Sequence, residues 1–273
     1  MVESLKELNA RCQKPRYKEA GNWMVRHLLR DAALPITWLL LHTPVTANQV
    51  TLASLIVGLA GILLFAFPSS GCFLTGALLL QLWYLLDHVD GQIARYRGTA
   101  SLTGRFFDFF THHLIHGCVF FSLGVYVFQV TGSFLFVVWG FVASIAIVLF
   151  NLVHDTKYKT FFEQISKLKG LEVISGEEPR ENLTESGEKG YAKKVFSLLH
   201  KVCEIHVLMN ILTLASFLEL VLKPEVSFRF WLFLFYGLVT PLLAGTKATY
   251  VIVGRKIDEE YQASFQEIKR GDS

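Results

Sequence analysis

Residues 85–113 of this 273-residue chain, LLDHVDGQIARYRGTASLTGRFFDFFTHH, place three aspartates, three arginines and three histidines between long apolar runs. Ionisable side chains are costly in such surroundings, and a cluster of them marks a site. Asp87 and Asp90 are three residues apart and share a face if the preceding apolar run continues as a helix. Asp108 and His112 are four apart and share a face if the next helix begins near Gly104. Between them YRGTASLT is polar with one glycine, enough to reverse the chain. The two faces can then meet as an antiparallel pair, bringing three carboxylates and an imidazole to one point at a membrane edge. Such carboxylates repel one another unless a divalent cation, or two, joins them, and hard oxygen ligands suit Mg²⁺, Mn²⁺ or Ca²⁺. Gly91 and Gly104 leave gaps for a bulky ligand, and Arg95 and Arg105 supply positive charge for phosphate oxygens. This is the logic of phosphoryl transfer, in which metal ions clamp a diphosphate and a base activates a hydroxyl. Charges that merely line a loop and pair with arginines would explain one such pair, but not the whole set with its spacing and glycines.

The pattern D-x2-D-G-x2-A-R-x8-G-x3-D is present in full as Asp87, Asp90, Gly91, Ala94, Arg95, Gly104 and Asp108. It resembles the signature of the CDP-alcohol phosphotransferase family. TANQVT, 46–51, resembles the family's TPNxxT at the start of its first span, with Ala47 in place of the proline. Lys14-Pro15 and the stretch around Arg26 and Arg30 resemble its N-terminal interfacial segment. The resemblance is strong over 43–113 and continues only as a pattern of spans. It implies a six-helix membrane fold, usually a homodimer, with a site open to the cytoplasm. It also implies two divalent metals, Mg²⁺ or Mn²⁺, and a CDP-linked donor. An alcohol acceptor attacks the donor's β-phosphate and CMP leaves. By position, Asp87, Asp90 and Asp108 would bind metal, while Gly91, Ala94, Arg95 and Gly104 would line the CMP and diphosphate site.

The family pattern ends in a fourth aspartate, assigned as metal ligand and general base; here that position is His112. Three readings stay open. His112 is the base, for which an ordinary pKa of about 6.5 is suited. It is a ligand, which favours Mn²⁺ over Mg²⁺. Or the site is degenerate. Asp108 and His112 are therefore the expected catalytic pair, with both also among the expected ligands. His113 should point away from the Asp108 face. His116 continues that face one turn deeper, as a supporting partner or a packed core histidine.

The elements that must hold these residues are long apolar helices. The chain is 52% hydrophobic with mean hydropathy +0.40 and only 18% charged, which points to a polytopic membrane protein. Six spans are expected, at 48–67, from about 72, from about 104 to 130, at 134–153, at about 204–222 and at about 228–254. The fold class is thus all-α integral membrane, with an N-terminal amphipathic interfacial helix at 22–41 interrupted by Pro35. This divides the chain into an N-terminal segment (1–42), a membrane domain (43–254) with a charged loop (155–203), and a tail (255–273). Lys and Arg crowd the N-terminal segment, the loop between spans two and three, the loop between four and five, and the tail, whereas 68–71 and 131–133 carry none. That asymmetry predicts both termini and the cluster on the cytoplasmic side, which makes the Asn182-Leu183-Thr184 sequon a chance match. There is no secretory signal, phosphate-binding glycine loop or internal repeat, and the four cysteines are scattered buried thiols.

Outside the cluster, Lys247 within the sixth span is the best further cation for an acceptor or phosphate. Lys157, Lys159 and the basic residues of 189–201 would attract an anionic acceptor or lipid headgroups, or simply follow the positive-inside bias. Asn210 is placed to bridge helices, and Glu219 lies near the outer end. The phenylalanines of RFFDFF face lipid or pack. The preferred function is metal-dependent transfer from a CDP-linked donor, CDP-diacylglycerol, to an alcohol, in phospholipid biosynthesis. A CDP-linked polar alcohol as donor, or a silent nucleotide- or lipid-binding scaffold, is the alternative. Membrane lipids are expected partners and nucleic acid is not.

Overall fold

Four of the long helices begin on a hydroxyl side chain that takes up a free backbone N–H, the usual solution for a helix start. Thr46 forms a capping box: its Oγ1 accepts from Gln49 N at 3.3 Å, while its own N donates to Gln49 Oε1 at 2.8 Å. Ser69, Ser101 and Ser227 cap the next starts in the same way, through the backbone N–H groups of Cys72, Gly104 and Arg229. Gly132, with φ 73°, closes one helix in the left-handed region where glycine carries no Cβ penalty.

The computed structural model describes residues 5–13, 24–166 and 191–261. Lys14-Pro15, residues 167–190 of the charged loop with the sequon at 182–184, and the end of the tail lie outside the described residues. Helices are α1 (Leu5–Cys12), α2 (Arg30–Leu41, entered through a π-helical turn, Val25–Leu29), α3 (Ala47–Phe65) and α4 (Ser70–Tyr96). They continue with α5 (Leu102–Thr131), α6 (Leu135–Ser166), α7 (Tyr191–Cys203), α8 (Ile205–Leu222) and α9 (Phe228–Val253). Among the described residues there is no strand. Helices α3, α4, α5, α6, α8 and α9 are each long and apolar enough to cross a membrane. They correspond one to one with the expected spans.

α3 lies against α4 and α5, α6 joins α5 to α9, and α8 rests on α4. Two crossings bring backbones into contact. A Cβ on Gly61 would sit 2.7 Å from Gly76 O, and one on Gly124 would sit 2.6 Å from Phe136 O. Lipid gives helices little hydrophobic reason to associate, so close packing at such points carries much of the attraction. Polar bridges add to it. Gln81 donates to Asn210 Oδ1 at 3.1 Å and Thr213 Oγ1 at 3.0 Å, so Asn210 does bridge α4 and α8.

Four helices are longer than the roughly 20 residues a bilayer needs: α4 has 27 residues, α5 has 30, α6 has 32 and α9 has 26, and the C-terminal ends of α4 and α6 project past the same end of the bundle. α6 therefore absorbs the first twelve residues of the region expected as a loop from 155, because 155–166 keeps good helix formers without Gly or Pro.

Candidate active site

The projecting end of α4 is held by the N-terminal helices. Buried Gln92 accepts from Thr37 Oγ1 at 2.7 Å and donates to Arg30 O at 2.9 Å, tying α4 to α2. Arg97 donates to Thr43 O and Val45 O at 2.8 and 2.5 Å, and Arg95 Nε donates to Cys12 O of α1. Several backbone carbonyls left over at helix ends are thus satisfied by arginines, and the last two turns of α4 become a fixed platform.

On that platform Asp87 faces α5. His112 Nε2 lies 3.0 Å from Asp87 Oδ1 and 3.3 Å from Asp108 Oδ1. One donor atom from each of Asp87, Asp108 and His112 falls within 4.8 Å of the others, so the three can hold one cation. Asp108 Oδ1 is buried and accepts no hydrogen bond of good geometry. A buried carboxylate oxygen without a donor is costly, and a metal ion is one group that would complete it. The donor set therefore fits a divalent metal.

Asp90 stands apart from these three. It is buried, and Thr51 Oγ1 donates to its Oδ2 at 2.6 Å. Three residues from Asp87 on α4, it faces α3 rather than α5, because a step of three turns the helix about 300° and leaves the two carboxylates 60° apart. Thr51 is the last residue of TANQVT, so that stretch both starts α3 and positions Asp90. The sequence marked the stretch but not this bond.

Of the remaining sequence-selected residues, Gly91 lies beneath the Arg95 guanidinium, where a Cβ would meet Nη1 at 3.1 Å. Ala94 is half-buried on α4. Gly104 lies in the first turn of α5, where a Cβ would be 3.4 Å from Asn48 Oδ1. Arg105 is exposed. A polar cavity of about 120 Å³ beside Asp87 is lined by Gln13, Arg30, His88, Gln92 and Arg95. Gln13 was not singled out by sequence, and Arg30 was named only as part of the interfacial segment; both reach the site because α1 and α2 fold onto α4.

His113 points away from Asp108 as expected, and its Nε2 lies 3.0 Å from Asp155 Oδ2 of α6. His116 is buried, with Asn151 Nδ2 3.2 Å from its Nδ1, a packed histidine one turn below the site. The edge of fully buried Trp83 meets the His112 ring at a centroid distance of 5.0 Å. Trp83 is seated by Gly58, where a Cβ would come within 3.1 Å of the indole. Lys247 does not face this cluster: its Nζ donates to Phe150 O at 3.1 Å and lies 4.0 Å over the Phe150 ring. Phe106, Phe109 and Phe110 are exposed on the protein surface.

Residues 44–171 match the model of the CDP-alcohol phosphatidyltransferase family. The matched segment holds α3, α4, α5 and α6 and every residue of the cluster. A comparison with curated proteins finds no match to the chain. CDP-alcohol phosphatidyltransferases are transferases of phosphorus-containing groups, moving a substituted phosphate from a CDP-alcohol to an alcohol acceptor. The family is typically metal-dependent, and the Asp87, Asp108 and His112 group is an arrangement that can serve that need.

Proposed function

We propose that the protein transfers a substituted phosphate group from CDP-diacylglycerol to the hydroxyl of an alcohol, releasing CMP, at the junction of α4 and α5. The observation that carries this reading is the convergence of Asp87, Asp108 and His112 within 4.8 Å inside the segment that matches the family. Asp87 and Asp108 would hold a divalent ion, Mg²⁺ or Mn²⁺, with Asp90 completing the site for a second. Bound there, such ions supply Lewis-acid charge that neutralises the diphosphate.

The protein's own groups perform the remaining work. Thr51 keeps Asp90 turned to one side through a charge-assisted hydrogen bond. Arg95 and Arg30, with Gln13, offer donors to phosphate oxygens in the small cavity beside Asp87. Gly91 keeps that surface free of a side chain. His112, left off the ion, would accept the acceptor's hydroxyl proton at Nε2 when neutral, and the imidazolium so formed would donate to Asp87 or Asp108, whose oxygens lie 3.0 and 3.3 Å away. The attacking alkoxide forms a new P–O bond at the β-phosphorus. The bond from that phosphorus to the bridging oxygen breaks, and CMP departs with that oxygen. This reading includes the cytoplasmic orientation argued from Lys and Arg placement, a second segment at 22–41 lying on that leaflet, and a homodimer.

Purified protein given Mg²⁺ or Mn²⁺, labelled CDP-diacylglycerol and a panel of alcohols should release CMP. The reading fails if no alcohol raises CMP release above that of the Asp90→Asn variant. A His112→Ala protein with full activity in both metals would remove the imidazole from the reaction.

A further inference from the structure

A second cavity, of about 920 Å³, opens between α6, α7, α9 and the residues that follow α9. None of its lining comes from α3, α4 or α5, which carry Asp87, Asp90, Asp108 and His112. We propose that this cavity binds an anionic membrane lipid, with the phosphate of its headgroup among the lysines and an acyl chain along the apolar wall.

Charge is the first argument. Lys157, Lys194, Lys201, Lys247 and Lys256 line the cavity, against a single carboxylate, Glu260. Glu260 already pairs with Lys157 at 2.7 Å, and Lys256 pairs with Glu259 at 2.6 Å. Among the described residues no carboxylate pairs with Lys194, Lys201 or Lys247. Lys247 is the telling one. It is half-buried in a helix long enough to span a membrane, yet among the described residues its ammonium contacts a carbonyl and an aromatic ring, Phe150 O and the Phe150 face, and no carboxylate. A cation in such a place is costly without an anion, and a phosphate in the cavity would supply one.

Shape and polarity favour a lipid over a free phosphate. A phosphate group would fill only a small part of the volume, which lies in the range of sites for sizeable amphiphiles. Val153, Val251, Leu198 and Tyr250 form an apolar wall, and Leu198 and Tyr250 are each 62% exposed. α7 brings both characters to the cavity, Lys194 and Lys201 with Phe196 and Leu198. An amphipathic helix of this kind at the end of a membrane bundle lies where headgroups and acyl chains meet.

The test uses full-length protein in a neutral detergent, with lipid retention read by native mass spectrometry and affinity by thermal-shift titration. The probes are dioctanoyl phosphatidylglycerol, dioctanoyl phosphatidylcholine and glycerol 3-phosphate. Phosphatidylglycerol should bind saturably and more tightly than phosphatidylcholine. The Lys194→Gln/Lys201→Gln double variant, changed only at exposed positions, should weaken it by about tenfold, and Lys247→Met should weaken it further. If Lys247→Met does not fold, the double variant decides. Equal binding of the two lipids, or phosphatidylglycerol binding unchanged in the double variant, overturns the proposal. Glycerol 3-phosphate binding as tightly as the lipid, with the same lysine dependence, also overturns it and assigns the cavity to a soluble phosphate ester. Asp87→Asn should leave lipid retention intact while removing CMP release, so failure of the proposed reaction and failure of this lipid site are read separately.

Discussion

Two clusters of charge sit at opposite ends of the same bundle, and they are built in opposite ways. At the far end, Glu219 of α8 and Arg229 of α9 are 3% and 2% exposed and bound to each other at 2.8 Å. Arg229 also donates to Phe67 O at 2.7 Å and lies over the Tyr126 and Phe73 rings at 3.9 and 4.8 Å. Glu219 takes further bonds from Ser227 and, at 3.4 Å, from Ser70. The charges there are matched and well supplied with partners, joining α3, α4, α8 and α9. At the motif end, Asp87 and Asp108 share the His112 imidazole while Asp90 is turned aside to Thr51; Asp108 Oδ1 accepts no hydrogen bond of good geometry, and Asp87, Asp108 and His112 are only partly buried. A complete network stabilises only itself; an incomplete one keeps room for a ligand. The difference teaches that charge within a membrane bundle marks a functional site where it is left unbalanced, not merely where it occurs.

The comparison can be broken most directly at Asp87. Asp87→Asn should reduce CMP release by at least about a hundredfold while leaving the thermal unfolding midpoint unchanged or higher. A large loss of stability instead would make the motif cluster another structural network. The reverse result is expected at the far end. Glu219→Gln should cost about 3–5 kcal/mol, read from unfolding in mild detergent, by leaving Arg229 buried without its anion. Its activity per folded molecule should stay near that of the parent. A Glu219→Met/Arg229→Met double variant should recover much of the loss, since two matched charges leave together.

Smaller changes sharpen the picture. Thr51→Val should remove the bond to Asp90 and lower activity by about tenfold, the worth of one hydrogen bond to a charged group. Thr51→Ser should keep most of that activity, which a merely steric role for Thr51 would not explain. The mildest is Gly58→Ala. Its Cβ would press on Ile115 Cδ1 at 2.7 Å and on the Trp83 ring at 3.1 Å, shifting the ring that meets His112. About 1 kcal/mol of stability and a several-fold loss of activity are expected from such overpacking. Activity equal to the parent's would show that Trp83 does not help to hold the imidazole.

Much of the site could be read from local sequence because its geometry is local. Asp108 and His112 are neighbours on one helix whatever surrounds them, and Asp87 and Asp90 are fixed relative to each other in the same way. The six spans follow from a physical need that any bilayer imposes, about 20 apolar residues each. Asn210 was legible as a bridge because an amide in an apolar helix needs a partner. The identity of that partner, Gln81, was not, since it lies 129 positions away. Lys247 was legible as unusual, but its direction was not: the turn of α9 presents it to Phe150 and the α6–α7 cavity, away from Asp87. The pairing of Arg229 was not legible either, because nothing in its neighbourhood announces a carboxylate one hairpin back.

By itself, then, the sequence determined the class of the fold, the family motif, the direction each motif residue takes from its own helix axis, and the substitution of His112 for an aspartate. Only the tertiary structure decided which of those residues share a point. It separated Asp90, held by Thr51, from Asp87, Asp108 and His112; it brought Gln13 and Arg30 to the rim; and it turned Lys247 toward a different cavity. The reason is one of range. Helical periodicity fixes neighbours over a few residues, whereas the meeting of α4 with α5, or of α1 with α4, depends on how whole helices pack, and that is set by contacts between distant parts of the chain.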